Sequence, residues 1–456
     1  MNIWDQEYEC MSRDELGQLQ LERLQATLNR VYRNVSFYRK KFDTIGFEPE
    51  DLVELNDLQK LPFTCSRDLS DAYPYDLFAV PLREVVRVHS SSGTTKPVVV
   101  GYTRQDLKHW SELVARILTA GGVTADDVVQ VSLNYGLLTG GLGLHYGAEL
   151  VGASVLPTSV GRTERQVAIM QDYRTTALVA TPSYAFIIAE RMKKMGIDAK
   201  TLTLKYVMLA GEPWTEEMRQ EIEDRLYVKA TDNYGLSEIM GPGVAGECLY
   251  QAGMHLNEDH FIVEVVDPET GKRMEAGEVG ELIITTITKE AFPLIRFRTG
   301  DLCSLEYQPC QCGRTLVRMS RVLGRTDQVI IVKGINIIPS RIGDILEEIQ
   351  GVRPPCQLVV ERADYLDRLT LLVEVSEDLF FDKMGEQRSL VDSIREKVAG
   401  GIGVTPRIQL VEAGSINRDE ETAPGSQEAR ELISKVVSID HEQILANTVE
   451  PLTSLS

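Results

Sequence analysis

Long apolar runs are missing from this chain. None approaches the ~20 residues that a membrane-spanning helix needs, so no span and no membrane partner are expected. Basic charge is also short: 48 Lys and Arg stand against 68 Asp and Glu, a net charge of -20. A surface that acidic excludes nucleic acid and anionic membranes as main partners, although an anionic nucleotide needs only a local positive site. Cysteine is sparse and odd in number, with seven residues scattered at Cys10, Cys65, Cys248, Cys303, Cys310, Cys312 and Cys356. That is no disulfide framework. Reduced thiols, some of them on a metal, are expected instead, and with them a cytoplasmic setting. The first residues are acidic and lack an apolar core, so no secretory signal is expected. No repeat of fixed period is visible.

What is present is ordinary for a globular chain: 456 residues, 43% of them hydrophobic, enough for two or three domains with a sizeable core. One stretch stands out. Ser90-Ser91-Ser92-Gly93-Thr94-Thr95-Lys96-Pro97 lies between short β-like runs at 85–89 and 98–102. Hydroxyls, backbone N–H groups and one ammonium on a tight loop can cradle phosphate oxygens. Gly93 would let a ligand approach closely, because it has no Cβ. The spacing of a Walker A loop is absent. A plain polar hairpin turn is the competing reading.

A helix is predicted over 13–41, capped by Ser12 and with Leu16, Leu19, Leu21, Leu24 and Leu28 on its apolar face. After the serine loop, helices at 103–120, 137–150, 165–173, 183–195 and 216–226 alternate with strands at 128–133, 153–156, 177–181 and 206–210. That alternation predicts an α/β architecture with largely parallel sheets and ligands at the carboxyl ends of the strands. Three strand-to-loop corners are polar. Gly211-Glu212-Pro213 follows the strand at 206–210. Asp232-Asn233-Tyr234-Gly235-Leu236-Ser237-Glu238 follows one at 228–231, and Thr299-Gly300-Asp301 follows one at 294–298. A carboxylate at such a corner can accept from ribose hydroxyls or hold Mg²⁺. Gly and Asp also make ordinary turns.

In this order, the motifs SSSGTTKP, AGEP, DNYGLSE, RFRTGD and GRTDQVIIVKGINIIPS resemble those of the adenylate-forming, acyl-CoA synthetase-like superfamily. Within it, YGLSEIMGPGVAGEC, HLNEDHFIVEVVDPETG and PLIRFRTGDL are similar to the phenylacetate-CoA ligase family, over nearly the whole chain. The resemblance implies a large N-terminal AMP-binding domain at 1–326 and a small mobile α+β domain at 327–456, hinged at Asp327. It implies a two-step reaction in which ATP adenylates a carboxylic acid, an aryl acid such as phenylacetate, and coenzyme A then displaces AMP. Ser90 to Lys96 would hold the departing phosphates. Gly211, Glu212 and Pro213 would line the adenine, with Asp232, Asn233, Tyr234, Gly235 and Ser237 opposite. Glu238 would hold Mg²⁺, Asp301 would accept from the ribose, and Arg325 would donate to ribose or phosphate. Lys96, Glu238 and Arg325 are the catalytic set. The acyl pocket would lie near Tyr135, Gly140, Gly141 and Pro242, unless Tyr135 is simply a core residue. Lys333 and Gly334 would approach coenzyme A, unless Lys333 only faces solvent. A homodimer is expected.

Two departures from the family pattern both bear on adenylation. The family's T-T-G-K-P lacks its glycine here, since Thr95 runs directly into Lys96. A C-terminal segment like S-I-P-R-S-E-G-K-A reads Ser415-Ile416-Asn417-Arg418-Asp419-Glu420-Glu421-Thr422-Ala423, with Thr422 at the lysine's place. Two other function classes therefore stay open: a homologue impaired in adenylation that binds nucleotide or acyl-CoA, and an adenylating enzyme with another acyl acceptor. The resemblance also points to a structural zinc on Cys248, His255, Cys310 and Cys312, with Cys303 and His260 as substitutes. Cys310-Gln311-Cys312-Gly313 puts two thiols within one turn, ahead of a glycine that permits a tight bend.

Overall fold

The computed structural model describes residues 2–91, 97–327, 330–337, 339–349, 352, 356–363, 366–375, 384–412, 416 and 433–439. They form two compact units, one ending at Asp327 and one made from residue 330 onward.

The first unit is built on a nine-stranded sheet. Strands Ser154–Leu156, Val128–Val131, Ala177–Ala180, Tyr206–Ala210 and Lys229–Leu236 lie side by side and parallel. Helices Gly140–Val151, Thr163–Asp172, Pro182–Lys194 and Glu216–Leu226 connect them. Ala177–Ala180 is buried along its whole length, as a parallel strand covered on both faces must be. From Lys229–Leu236 outward the pairing turns antiparallel, through Gly241–Glu247, Met254–Leu256, Arg318–Met319 and Leu305–Glu306. A second sheet, Phe261–Val266, Gly280–Thr286, Phe297–Cys303 and Gly324–Arg325, is antiparallel throughout. The expected α/β layering is there, but parallel pairing covers only half of the large sheet.

Three expectations need correction. The helix predicted over 13–41 is two helices, Arg13–Asn34 and Ser36–Ile45. The break falls at Val35, whose backbone is extended and whose side chain is buried. The turn lets Tyr38 and Phe42 enter the core, where the Tyr38 hydroxyl meets Thr64 at 3.2 Å and accepts from the Ile295 N–H. Leucine spacing alone does not reveal such a break. Asp232 to Leu236 do not form a corner, because they belong to the strand Lys229–Leu236. Thr299, Gly300 and Asp301 likewise lie inside the strand Phe297–Cys303. Both strands carry buried polar side chains held by hydrogen bonds, and these break the apolar pattern by which a strand is read.

The second unit is a four-stranded sheet, ordered Arg407–Glu412, Leu366–Val375, Cys356–Ala363 and Ile433–Ile439. Helices Pro339–Glu347 and Met384–Ile402 belong to it, as does a hairpin, Ile330–Val332 with Ile335–Ile337. Its core gathers Val332, Ile342, Leu346, Leu358, Ile394 and Val398. This is the small α+β unit expected, with an edge strand at 433–439 that was not. No helix among the described residues is long and apolar enough to cross a membrane.

Candidate active site

Pairing of Phe297–Cys303 with Gly324–Arg325 sets Asp301 directly opposite Arg325. The Arg325 guanidinium donates to the Asp301 carboxylate, to Asp327 at 2.7 and 2.8 Å, and to the Thr299 carbonyl at 3.0 Å. The Tyr234 hydroxyl donates to the other Asp301 oxygen at 2.7 Å. Gly300 adopts φ +76°, and a Cβ there would stand 2.7 Å from the Arg325 guanidinium and 2.9 Å from the Asp327 carboxylate. Only glycine permits that closure. Burial pushes the Asp301 carboxyl up, against the pull of Arg325.

Along Lys229–Leu236, burial and then the Glu247 charge push the Asp232 carboxyl up to about 7. Its N–H donates to Glu247, which also takes a bidentate pair from Arg219. Asn233 Nδ2 donates to the Leu209 and Thr231 carbonyls, both at 3.3 Å, and its Oδ1 has no partner among the described residues. A Cβ on Gly235 would fall 2.0 Å from the Gly241 carbonyl oxygen, so the backbones touch there. Ser237 Oγ meets Thr139 Oγ1 at 3.0 Å. Glu238 follows in the turn 237–240 and makes no ion pair among the described residues. Burial raises its carboxyl above the ordinary range, while Arg325 lowers it and Asp301 raises it.

Gly211 turns with φ +83° after Tyr206–Ala210. The Glu212 carboxylate accepts from the Ser183 N–H at 2.9 Å and hydroxyl at 2.7 Å, so it is engaged at the start of the helix Pro182–Lys194. Pro213 follows on the same loop. Ser90 ends the strand Arg87–Ser90, and its N–H donates to the Leu137 carbonyl. Ser91 closes on Val98 through two hydrogen bonds of 3.0 Å. Ser92, Gly93, Thr94, Thr95 and Lys96 lie outside the described residues, as do Asn417, Arg418 and Thr422.

Tyr135 is half-buried, with its hydroxyl 3.3 Å from His145 Nδ1. Gly140 and Gly141 open the helix Gly140–Val151, and a Cβ on Gly141 would meet the Asn134 carbonyl oxygen at 2.5 Å. The Pro242 carbonyl accepts from Trp110 Nε1 at 2.8 Å. Trp110, Thr139 and His145 join this region without having been anticipated. Each belongs to a helix or its start, so only the fold brings them near. In the second unit, Lys333 (φ +53°, exposed) and Gly334 (φ +71°) are the two central residues of the hairpin. Two positive φ angles in a row match a type I′ turn.

The four proposed metal ligands come together. Cys248 follows Gly241–Glu247, His255 sits in Met254–Leu256, and Cys310 and Cys312 lie on the loop before Arg318–Met319. All four are buried, with ligand atoms within 4.8 Å of one another. Cys248 and Cys310 sulfurs are 3.8 Å apart, and Cys312 Sγ is 3.4 Å from His255 Nε2. A tetrahedral zinc ion would set edges of about 3.8 Å for S–S and about 3.6 Å for S–N. His255 Nδ1 is buried with no partner among the described residues. Hydrogen bonding to Cys248, then to His255, holds the Cys312 thiol well below the usual range. The substitute ligands, Cys303 and His260, are placed elsewhere: His260 bonds Thr288 at 2.7 Å and Asp259 at 3.2 Å.

Comparison with known proteins agrees with this frame. The AMP-binding enzyme family model matches residues 86–288, and the AMP-binding enzyme C-terminal domain model matches residues 334–425. The phenylacetate-coenzyme A ligase of Thermus thermophilus is 46% identical over 92% of this chain and 97% of its own length. The phenylacetate-coenzyme A ligase of Escherichia coli K12 is 44% identical over 91% of this chain and 95% of its own. Among solved structures, 2-hydroxyisobutyryl-CoA ligase in complex with 2-HIB-AMP and CoA superposes with a TM-score of 0.87 at 28% identity, covering 91% of this chain and 90% of that one. This chain belongs to the phenylacetate-coenzyme A ligase family of AMP-binding enzymes.

Proposed function

We propose that the protein activates a carboxylic acid with ATP and passes the acyl group to coenzyme A. The supporting observation is the Asp301–Arg325–Tyr234 cluster, a buried carboxylate held by fixed donors beside a half-buried Glu238 that forms no ion pair among the described residues. In the first step a carboxylate oxygen of the acid attacks the α-phosphorus and pyrophosphate leaves. In the second, the CoA sulfur attacks the acyl carbon and AMP leaves. Asp301 keeps lone pairs on both oxygens after bonding Tyr234 and Arg325, enough to accept from the two ribose hydroxyls. Arg325 uses four of its five N–H donors on Asp301, Asp327 and Thr299, leaving one for ribose or phosphate. Residues 90–96 would hold the departing phosphates, and Lys96 supplies their one positive side chain.

Glu238 is the residue to hold Mg²⁺, which would neutralise phosphate charge. Cys248, His255, Cys310 and Cys312 would hold a structural zinc, because four protein ligands leave no open position for substrate. Tyr135, Gly140, Gly141 and Pro242 would line an acyl pocket suited to an aryl acid. For coenzyme A there are Lys333 and Gly334. There is also a cleft of about 430 Å³ in the first unit, where Leu156, Ile169 and Tyr173 stand beside Arg162 and Arg165. Both guanidiniums are exposed and form no ion pair among the described residues, which suits a phosphorylated nucleotide. Asp327 would serve as the hinge between domains at 1–326 and 327–456. A cytoplasmic homodimer completes the reading, and light scattering checks the dimer.

Radiolabelled pyrophosphate exchange into ATP, across aryl and short acyl acids, tests the activity. Exchange followed by CoA-thioester formation is expected. Exchange without thioester would favour another acyl acceptor. AMP or CoA binding without exchange would favour an adenylation-impaired homologue. Asp301→Ala is expected to weaken nucleotide affinity about ten-fold or more through the ribose, and Glu238→Ala to weaken it only when Mg²⁺ is present. If both variants bind ATP as the parent does in calorimetry, these two assignments fall.

A further inference from the structure

Lys289 is 1% exposed, yet among the described residues it forms no ion pair with a carboxylate. Its ammonium sits 3.2 Å from the centroid of the Tyr102 ring, and among the described residues its one hydrogen-bond acceptor is Met240 Sδ at 3.5 Å. Asp106 is the carboxylate whose charge reaches it, and that carboxylate is occupied. It accepts from the N–H groups of Thr103, Glu290 and Ala291 at 2.9, 2.7 and 3.0 Å. Burial accordingly pushes the Lys289 ammonium down to about 7. A buried cation without a counter-ion is a liability to the fold, and an apolar side chain of the same length would fill the space without it. Stability therefore does not account for the lysine.

Its neighbours do. Tyr102 stacks on Trp110 with centroids 4.9 Å apart and planes 17° from parallel. The Tyr102 hydroxyl donates to the Met240 carbonyl at 3.0 Å, and Trp110 Nε1 donates to the Pro242 carbonyl at 2.8 Å. Trp110 also fills the space beside Gly143 and Gly241, where a Cβ would come within 2.4 and 2.6 Å of its ring. His89 packs edge-on against both rings and is anchored to the Leu137 carbonyl at 3.0 Å. Lys289, Tyr102 and Trp110 thus grip Met240 by its sulfur and carbonyl and Pro242 by its carbonyl. Met240 closes the turn that carries Ser237 and Glu238.

We propose that Lys289 is a positioning residue: its ammonium, seated on Tyr102 and Met240, fixes the Glu238 turn and the Pro242 wall in the geometry that adenylation needs. This rests on the function proposed above. A positioned charge one residue-layer behind a reacting group controls alignment, and small misalignments cost rate steeply.

The test is Lys289→Met in the full-length protein. Its melting temperature is expected to equal or exceed that of the parent. Its kcat/KM in pyrophosphate exchange should fall about 10- to 100-fold, with KM for Mg·ATP and for the acid rising more than kcat falls. Tyr102→Leu should lose activity to a similar degree, and the double variant should lose little more than either alone. Unchanged kinetics, additive losses, or a Lys289→Met protein that melts early or fails to fold would each overturn the proposal. Exchange by the parent is the control for the underlying function. Should the parent show none, that function falls separately, and Mg·AMP affinity by calorimetry decides the proposal: weaker in Lys289→Met supports it, equal overturns it.

Discussion

Lys435→Ala is expected to cut pyrophosphate exchange by about 10²–10³, while transfer from a preformed acyl-adenylate to CoA stays within about three-fold of the parent. Adenylation develops negative charge on the carboxylate and α-phosphate, and one fixed donor at a developing anion is worth that much. The family resemblance asks for a lysine near the end of the chain, where Thr422 stands. Beyond Lys397 the sequence contains one lysine, Lys435. It lies on the strand Ile433–Ile439, the sheet edge of the second unit, in register with Val360. Thr422→Lys provides the opposing experiment. If the missing charge belongs at 422, that variant gains exchange roughly ten-fold and Lys435→Ala is silent.

The second large effect concerns metal. Protein purified without a histidine tag is expected to carry about one zinc per chain. Cys312→Ser should reduce that below about one tenth and lower the melting temperature by roughly 10 °C or more, since binding energy of a structural zinc is folding energy. The stabilisation is expected because the ion would join the end of Gly241–Glu247, the strand Met254–Leu256 and the 310–312 loop. The same construction would hold the segment after Glu238 against the chain leading to Arg325. Less than one tenth of a zinc in the parent, by elemental analysis, would sink this assignment.

How far the sequence could be read depended on the kind of signal. Helices at 103–120 and 216–226 and the strand at 206–210 follow from apolar periodicity, with Thr103 as a cap for the first, and the structure has them within a residue. Asp232, Asn233 and Asp301 were picked out by type but set on loops. Buried carboxylates and amides in strands look like turns until their hydrogen-bond partners, Glu247, Leu209 and Tyr234, arrive from elsewhere. The set Cys248, His255, Cys310 and Cys312 came from the family resemblance and the Cys310-Gln311-Cys312 spacing, and the structure gathers those four side chains. Lys289 was not singled out. Its partners Tyr102 and Met240 lie 187 and 49 positions earlier in the sequence, and no local pattern marks a lysine as buried.

The helix Arg13–Asn34 has a temporal consequence. Arg13 pairs with Glu258 at 2.6 and 2.9 Å, and Gln20 donates to the Glu258 carbonyl. Just before the helix, Glu9 takes the buried Arg314 guanidinium and its carbonyl accepts from Thr315. During synthesis the helix leaves the ribosome long before any of these partners exists. Part of its apolar face meets the helix Ser36–Ile45 and the segments at 49–51 and 55–60 soon afterwards, but the side that docks on Glu258 and Arg314 waits while close to three hundred residues follow at about 5–20 per second. The nascent chain therefore presents a sticky amphipathic helix for tens of seconds. Chaperone binding during translation should concentrate on the helix Arg13–Asn34 and release only after residue 315 has emerged.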